Sequence, residues 1–397
     1  MHLGNFSEVF FYDVKIRLNL IFLEKTLMKE KNKSSKDINY LVRIIAMFWL
    51  LTKVWSYKTW IAERIYPVIP PIKIFEYVPG LVHQFLFVFS LLCLLSVLCF
   101  DIKRWLLIAL FFSEIISCAL DTVRWQPWEY MYLCFLLVVI INFFKPKNIL
   151  LLGHLFLVSI YLFSGLHKFS RDFLYSVWLN MFLEDFLGFS IGFILKYKLF
   201  FLGVLVPVIE VSLALLLLFL KSKKVVSYAL IVMHFGILIF IGPIGLQYNS
   251  VVWPWNLAMI CILFVVYSKP IEFSYRIVIA NSYWLILWFI MPVLSLCGSW
   301  YQYFSFNLYS GKEDQMYICF LDNQKEFKPF FESSDIAFCN RKPAINLQNW
   351  ALKEIKSAPI PETEIYKKIA VYLKQKYGND NVKIILYNPG TKARKEL

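Results

Sequence analysis

Apolar residues fill this chain in long runs, separated by short polar and basic breaks. Runs close to twenty residues recur along most of the sequence, each long enough as a helix to cross about 30 Å of hydrocarbon. They predict about nine membrane spans: Tyr40–Tyr57, Leu81–Phe100, Trp105–Leu120, Glu129–Phe144, Ile149–Leu166, Leu199–Leu220, Val225–Ile244, Val251–Tyr267 and Tyr275–Leu296. Basic clusters punctuate the runs at "DIKR" (101–104), "KPK" (145–147), "KSKK" (221–224) and "SKPIEFSYR" (268–276). With the amino terminus in the cytoplasm and strict alternation, all four clusters fall on the cytoplasmic side. "GPIGLQYNS" (242–250), which has no positive charge, falls outside, as does the carboxyl tail.

Three stretches break the pattern. The loop "KTWIAERIYPVIPPIKIFEYVPG" after the first run is rich in aromatics and proline, so it is expected to lie across the outer face. Between Lys168 and Leu199 the run "DFLYSVWLNMFLEDFLGFSIGFIL" is interrupted by charge, which fits an interfacial amphipathic helix or a re-entrant piece covering a cavity. From Cys297 onward the composition turns polar. "KEDQMYICFLDNQKEF" reads as a hairpin, "PETEIYKKIAVYLKQKYG" as an amphipathic helix and "NVKIILYN" as a strand. The expected architecture is therefore an all-α polytopic membrane bundle at 40–297. A basic cytoplasmic arm at 1–39 precedes it, and a small extracytoplasmic α+β domain at 298–397 follows.

Composition sharpens this reading. Of 397 residues, 59% are hydrophobic and 17% charged, against roughly a quarter charged in soluble domains. The formal charge of +14 resides in loop clusters and in the arm carrying Lys15, Arg17, Lys25, Lys29, Lys31, Lys33 and Lys36. No basic stripe with interleaved aromatics is present, so attraction to membrane lipid replaces nucleic-acid binding as its explanation. A cleavable signal peptide is not expected, because "NLIFL" is short and lacks a small-residue cleavage site. The eight cysteines contain no CxxC. Cys319 and Cys339 stand together in the polar tail, either as free thiols or as a disulfide that an outside location would permit.

Ionisable residues inside apolar runs are costly and mark candidate sites. Four lie mid-run: Glu114, His154, Glu210 and His234. Each either bridges helices by a hydrogen bond or faces a wet cavity. His154, Val158, Tyr161, Gly165 and Lys168 follow the spacing of one helical face, with Gly165 allowing close approach of a helix or ligand. His167 points about 100° away and reads as an interfacial residue. Lys168 is either a headgroup anchor or a desolvated amine able to act as a general base. In the outer loops, Trp125, Trp128 and Asn256, with Asp121, Arg124 and Glu129, form either an aromatic belt or the rim of a flat hydrophobic ligand. No metal-ligand spacing, Gly-rich phosphate loop or nucleophile elbow is present.

"YLFSGLHKFSRDF" (161–173) resembles the signature of the vitamin K-dependent gamma-carboxylase and its bacterial relatives, the HTTM (horizontally transferred transmembrane) proteins. Lys168 matches the family's catalytic lysine, and Asp172 with Phe173 matches its acidic–aromatic pair. Asp121, Trp125 and Tyr130 keep the spacing of an upstream family segment, and Glu210 and His234 match its acidic residue and histidine on consecutive helices. The carboxylase carries Asn and His where this chain has Pro127 and Trp128, and its extracytoplasmic domain is much larger. The "SGLHK" pattern is also similar to the smaller DoxX/MauE redox-associated membrane proteins. What these resemblances imply is a quinone of the menaquinone or vitamin K type, with Lys168 as general base and Glu210 and His234 beside it. His154, Tyr161, Trp125, Trp128 and Asn256 would form the cofactor wall.

The leading expectation is thus an inner-membrane protein holding a quinone or another lipophilic small molecule in an outer-leaflet pocket, with a quinone-dependent or carboxylase-like enzyme as the reading if it is catalytic. The rival is a non-catalytic redox-associated subunit whose outer tail binds an extracytoplasmic protein partner. A carrier for a small hydrophobic solute ranks last, since no inverted repeat is visible.

Overall fold

The structure, a computed structural model, describes residues 36–320, 325–331, 339 and 344–397. Most of the basic arm therefore lies outside the described residues. Helices occupy all nine predicted runs: α1 Lys36–Trp55, α2 Gly80–Cys99, α3 Arg104–Leu120, α4 Pro127–Ile141, α5 Pro146–His167, α6 Leu199–Phe219, α7 Lys224–Ile241, α8 Val252–Val266 and α9 Tyr283–Leu296. Five of these, not nine, are long and apolar enough to cross a membrane: α1, α2, α5, α6 and α7. Helices α4 and α8 have 15 residues each, about 22 Å at 1.5 Å per residue, short of a full hydrocarbon core. The last predicted run is broken at Asn281 and Ser282, leaving a short helix Tyr275–Ala280 before α9.

Burial explains the difference in length. Helix α4 runs through the centre with all but two of its residues buried, so its apolarity serves protein contacts on every side. Helices α2, α6 and α7 bury a third or less of their most apolar window and leave broad outward faces such as Leu81, Phe85, Val88 and Leu92 uncovered. Prolines in the first turn of α4 and α5 start those helices at no cost in backbone bonds.

The charge-interrupted segment is neither a crossing nor a loop. Phe173–Phe186 forms a wide-turned π-helix, followed by a short helix Ile191–Lys196, and its apolar side lies over the bundle. Trp178 seats against Gly203, where a Cβ would come within 2.5 Å of the indole.

The tail is a four-stranded antiparallel sheet with two helices. Its strands are β1 Gln315–Phe320, β2 Ala344–Asn346, β3 Val382–Tyr387 and β4 Arg394–Glu396, in the order β2-β1-β3-β4. The expected hairpin at the start of the tail is corrected. β1 pairs with the distant β2 and β3, while Lys325–Phe330 turns into a 3-10 helix that buries Phe327 and Phe330. Helix α10, Leu347–Glu354, was not legible beforehand. Helix α11, Thr363–Tyr377, ends at Gly378, whose φ of +94° suits glycine. Cys319 and Cys339 are joined by a disulfide.

The proline-rich loop after α1 joins this domain to the bundle. Tyr66, Ile69 and Val123 share one apolar core with Ile318, Trp350 and Ile384. The Glu354 carboxylate accepts from the backbone N–H groups of Ile65 and Tyr66 at 2.6 and 3.0 Å and from Trp350 Nε1 at 2.7 Å. Thr59 Oγ1 donates to the Ile355 carbonyl, and Gln126 Nε2 to that of Ala358.

Candidate functional site

Helices α5 and α6 pack along one another more extensively than any other helix pair, and Gly165 is the reason they can. A Cβ there would sit 2.7 Å from Val211 Cγ2, 3.1 Å from the Val211 nitrogen and 3.3 Å from Glu210 Cβ. This close crossing brings the end of α5 to the middle of the apolar face of α6. Lys168, which caps α5, folds its side chain back along its own helix. Its Nζ donates to Glu210 Oε2 at 2.7 Å, Ser164 Oγ at 2.7 Å and the Ser164 carbonyl at 3.2 Å. The side chains are 13% and 8% exposed. An ammonium has three donors, and all three are used here.

Next to this pair runs a directed hydrogen-bond chain. Asn256 Nδ2 donates to the Val252 carbonyl at 2.8 Å, which fixes its Oδ1 as the atom facing His234. An amide oxygen only accepts, so His234 Nδ1 carries the proton, and Nε2 of the neutral ring accepts from the Tyr161 hydroxyl at 2.8 Å. Both ring nitrogens are therefore occupied. His234 positions Tyr161 and leaves only phenolic lone pairs facing outward.

These groups line one cavity of about 370 Å³, within the roughly 300–1,000 Å³ of small-molecule sites. Its remaining walls are apolar: Trp178 and Phe182 from the π-helix cover it, Met233 and Phe240 come from α7, and Trp255 and Met259 from α8. Phe306, Leu308 and Tyr309 close it on the side of the carboxyl-terminal domain.

The structure brings together Lys168, Glu210, Tyr161, His234 and Asn256, but not the other expected residues. His154 lies farther down α5, bonded through Nδ1 to the Tyr267 hydroxyl at 2.8 Å. Trp125 packs edge-on against Phe304, and Trp128 is fully buried against Trp60 and Tyr132. His167 is buried within the protein rather than exposed at its surface. Asp121 and Arg124 do not line this cavity. Asp121 pairs with Arg64 of the proline-rich loop after α1. Arg124 donates to the carbonyls of Thr59, Ser117 and Trp60 and meets His83 Nδ1 at 2.8 Å. Burial pulls its pKa down to about 10.

One pairing escaped the sequence reading altogether. Lys53 of α1 reaches Glu114 Oε2 at 2.8 Å with both side chains wholly buried, and its Nζ stands 3.0 Å from the centroid of the Trp60 ring. Glu129 accepts from Trp49 Nε1 at 2.7 Å alongside. Glu114 and Glu129 marked this place in the sequence, whereas Lys53 was not singled out. The void beside Trp49 measures only about 20 Å³. Its role is to lock α1, α3 and α4 together.

Among the described residues no group of three His, Cys, Asp or Glu side chains could hold a metal ion. No family model, curated protein or solved structure matches the chain.

Proposed function

We propose that the chain is a polytopic membrane protein whose side cavity binds a flat, lipophilic molecule of the quinone class and exchanges a proton with it through Lys168 and Glu210. The observation that carries this reading is a paired ammonium and carboxylate, beside a tyrosine of fixed hydrogen-bond direction, on the wall of an otherwise apolar cavity. The fit is chemical. The apolar walls suit a ring and its isoprenoid tail, and the polar groups gather where ring oxygens would be held. A bound quinone would supply reversible gain and loss of electrons and protons.

The residues divide the work. In the resting pair Lys168 is saturated with acceptors, so Glu210 is the group able to take a proton first. Transfer of a proton from Lys168 to Glu210 leaves a neutral pair with an amine lone pair, and in that form Lys168 acts as the base. The Lys168 ammonium also stabilises an oxyanion formed within the apolar walls, where charge interactions are strong. Tyr161, held by His234 and Asn256, accepts a hydrogen bond and orients the ring. The disulfide and the aromatic, proline-rich outer loop support an extracytoplasmic placement of the carboxyl-terminal domain, and with it a cavity opening toward the outer leaflet.

The test is Lys168→Ala in reconstituted membranes, with menaquinone and ubiquinone binding followed by fluorescence quenching and redox turnover followed optically. The expected result is loss of turnover with weakened binding. Unchanged binding and turnover would remove Lys168 from the reaction. Binding kept without turnover in the wild type would favour the rival reading, a redox-associated subunit that acts through a protein partner.

A further inference from the structure

A second and larger chamber, about 520 Å³, lies between the membrane bundle and the carboxyl-terminal domain. We propose that it binds the primary ammonium group of a small polar amine, a ligand class different from that of the lipophilic cavity. Three observations point to a cation.

Glu313 is the first. It lines the chamber, and no Lys, Arg or His is among the described residues that do so. It forms no ion pair with a described residue; partial burial raises its pKa, opposed by a backbone hydrogen bond and by Lys312 and aided by Asp172. A carboxylate drawn partly out of water with no ion-pair partner is costly, and a bound cation lowers that cost.

The second is an acceptor left over. Asn249 Nδ2 donates to the Tyr309 hydroxyl at 3.2 Å, which directs Oδ1 the other way, and this buried oxygen has no partner. It calls for a donor. The third is the ring wall. Tyr248, Tyr303, Tyr309 and Tyr317 all line the chamber, and the first and third stand edge to face with centroids 6.4 Å apart. Tyrosine faces attract ammonium groups, more so where water is excluded.

A carboxylate without an ion-pair partner, an amide oxygen with an unused lone pair beside the chamber and four lining tyrosines together make a site without a matching cation, which a ligand bearing N–H donors supplies. The chamber is therefore assigned to an amine rather than to an anion or a neutral polyol. It shares Val177, Leu308 and Tyr309 with the lipophilic cavity, so its occupant lies one layer of side chains from that site. The assignment stands whether or not the lipophilic cavity binds quinone.

Isothermal titration calorimetry of the full chain in detergent micelles tests this with 1,4-diaminobutane and its neutral counterpart 1,4-butanediol. The diamine is expected to bind saturably and the diol not at all. Glu313→Gln should weaken the diamine about tenfold or more, the loss of one charge-assisted contact, with Glu313→Asp in between. Equal binding of diamine and diol, no diamine binding, or a Glu313→Gln protein that binds as the wild type does would overturn the proposal. The comparison of diamine with diol uses wild-type protein, so it decides the matter even if the Gln variant does not fold.

Discussion

Gly165→Ala places a methyl group in the close crossing of α5 and α6. An ordinary carbon–carbon contact is about 3.5–4.0 Å, and the new Cβ would stand 2.7 Å from Val211 Cγ2. A rotation of Val211 relieves that contact. The backbone nitrogen of Val211 at 3.1 Å and Glu210 Cβ at 3.3 Å cannot rotate away, so α5 and α6 must part by several tenths of an ångström. Overpacking of this kind costs about 1–3 kcal/mol, and the better helix propensity of alanine returns about 0.5–1 kcal/mol. A net loss of up to about 2.5 kcal/mol is expected in denaturant unfolding of the micelle-solubilised protein. The same movement stretches the Lys168–Glu210 contact from 2.7 Å toward the limit of a hydrogen bond, so quinone binding should weaken in the same variant. Gly192→Ala is the control, since nothing lies within 4 Å of its Cβ position. A Gly165→Ala protein as stable as wild type and equal to it in quinone binding would refute this account of how the site is assembled.

Other consequences follow from the same contacts. Lys53→Met leaves Glu114 buried without its cation and should cost about 3–5 kcal/mol, while Lys53→Met with Glu114→Leu should recover most of it; thermal unfolding of the three proteins compares them. Replacing Cys319 and Cys339 by serine opens a link across 20 residues and should lower the stability of the carboxyl-terminal domain by about 3 kcal/mol. Intact protein should show no change in mass on alkylation of that pair before reduction. Because the folded-state pKa of Glu313 is raised by burial, the folded protein holds a proton there that the unfolded chain has released. Stability should then fall as pH rises above the ordinary carboxylate range, and that fall should be shallower in Glu313→Gln when urea midpoints are measured from pH 4 to pH 8.

Helix positions were legible in the sequence because long apolar runs leave few alternatives, but their lengths in the membrane were not. Helix α4 is apolar because protein surrounds it, and α2 is apolar because much of its surface is left uncovered by protein. A hydropathy pattern carries no mark that separates the two. Lys168, Tyr161 and Gly165 could be placed on one face because they share a helix, and Glu210 and His234 stood out as charges in apolar runs. What could not be read was the pairing between helices. Helical spacing put His154 on the same stripe as Lys168, yet the cavity reaches only the upper part of that stripe. Lys53 was missed because a lysine near a helix end normally reaches the interface, whereas here Trp60 and Glu114 fold over it. In the tail, β1, β3 and the helix α11 were legible but not the pairing of the strands, since that is decided by residues far along the chain.

The central claim is that the Lys168–Glu210 cavity holds a quinone-class molecule, and native mass spectrometry of protein released gently from its own membranes tests it most directly. The account predicts a bound lipophilic molecule whose extracted spectrum and mass identify a quinone, present on the wild type and lost or sharply reduced in Lys168→Ala and Gly165→Ala. Wild-type protein that carries no such molecule, but retains a stoichiometric protein partner, would contradict it.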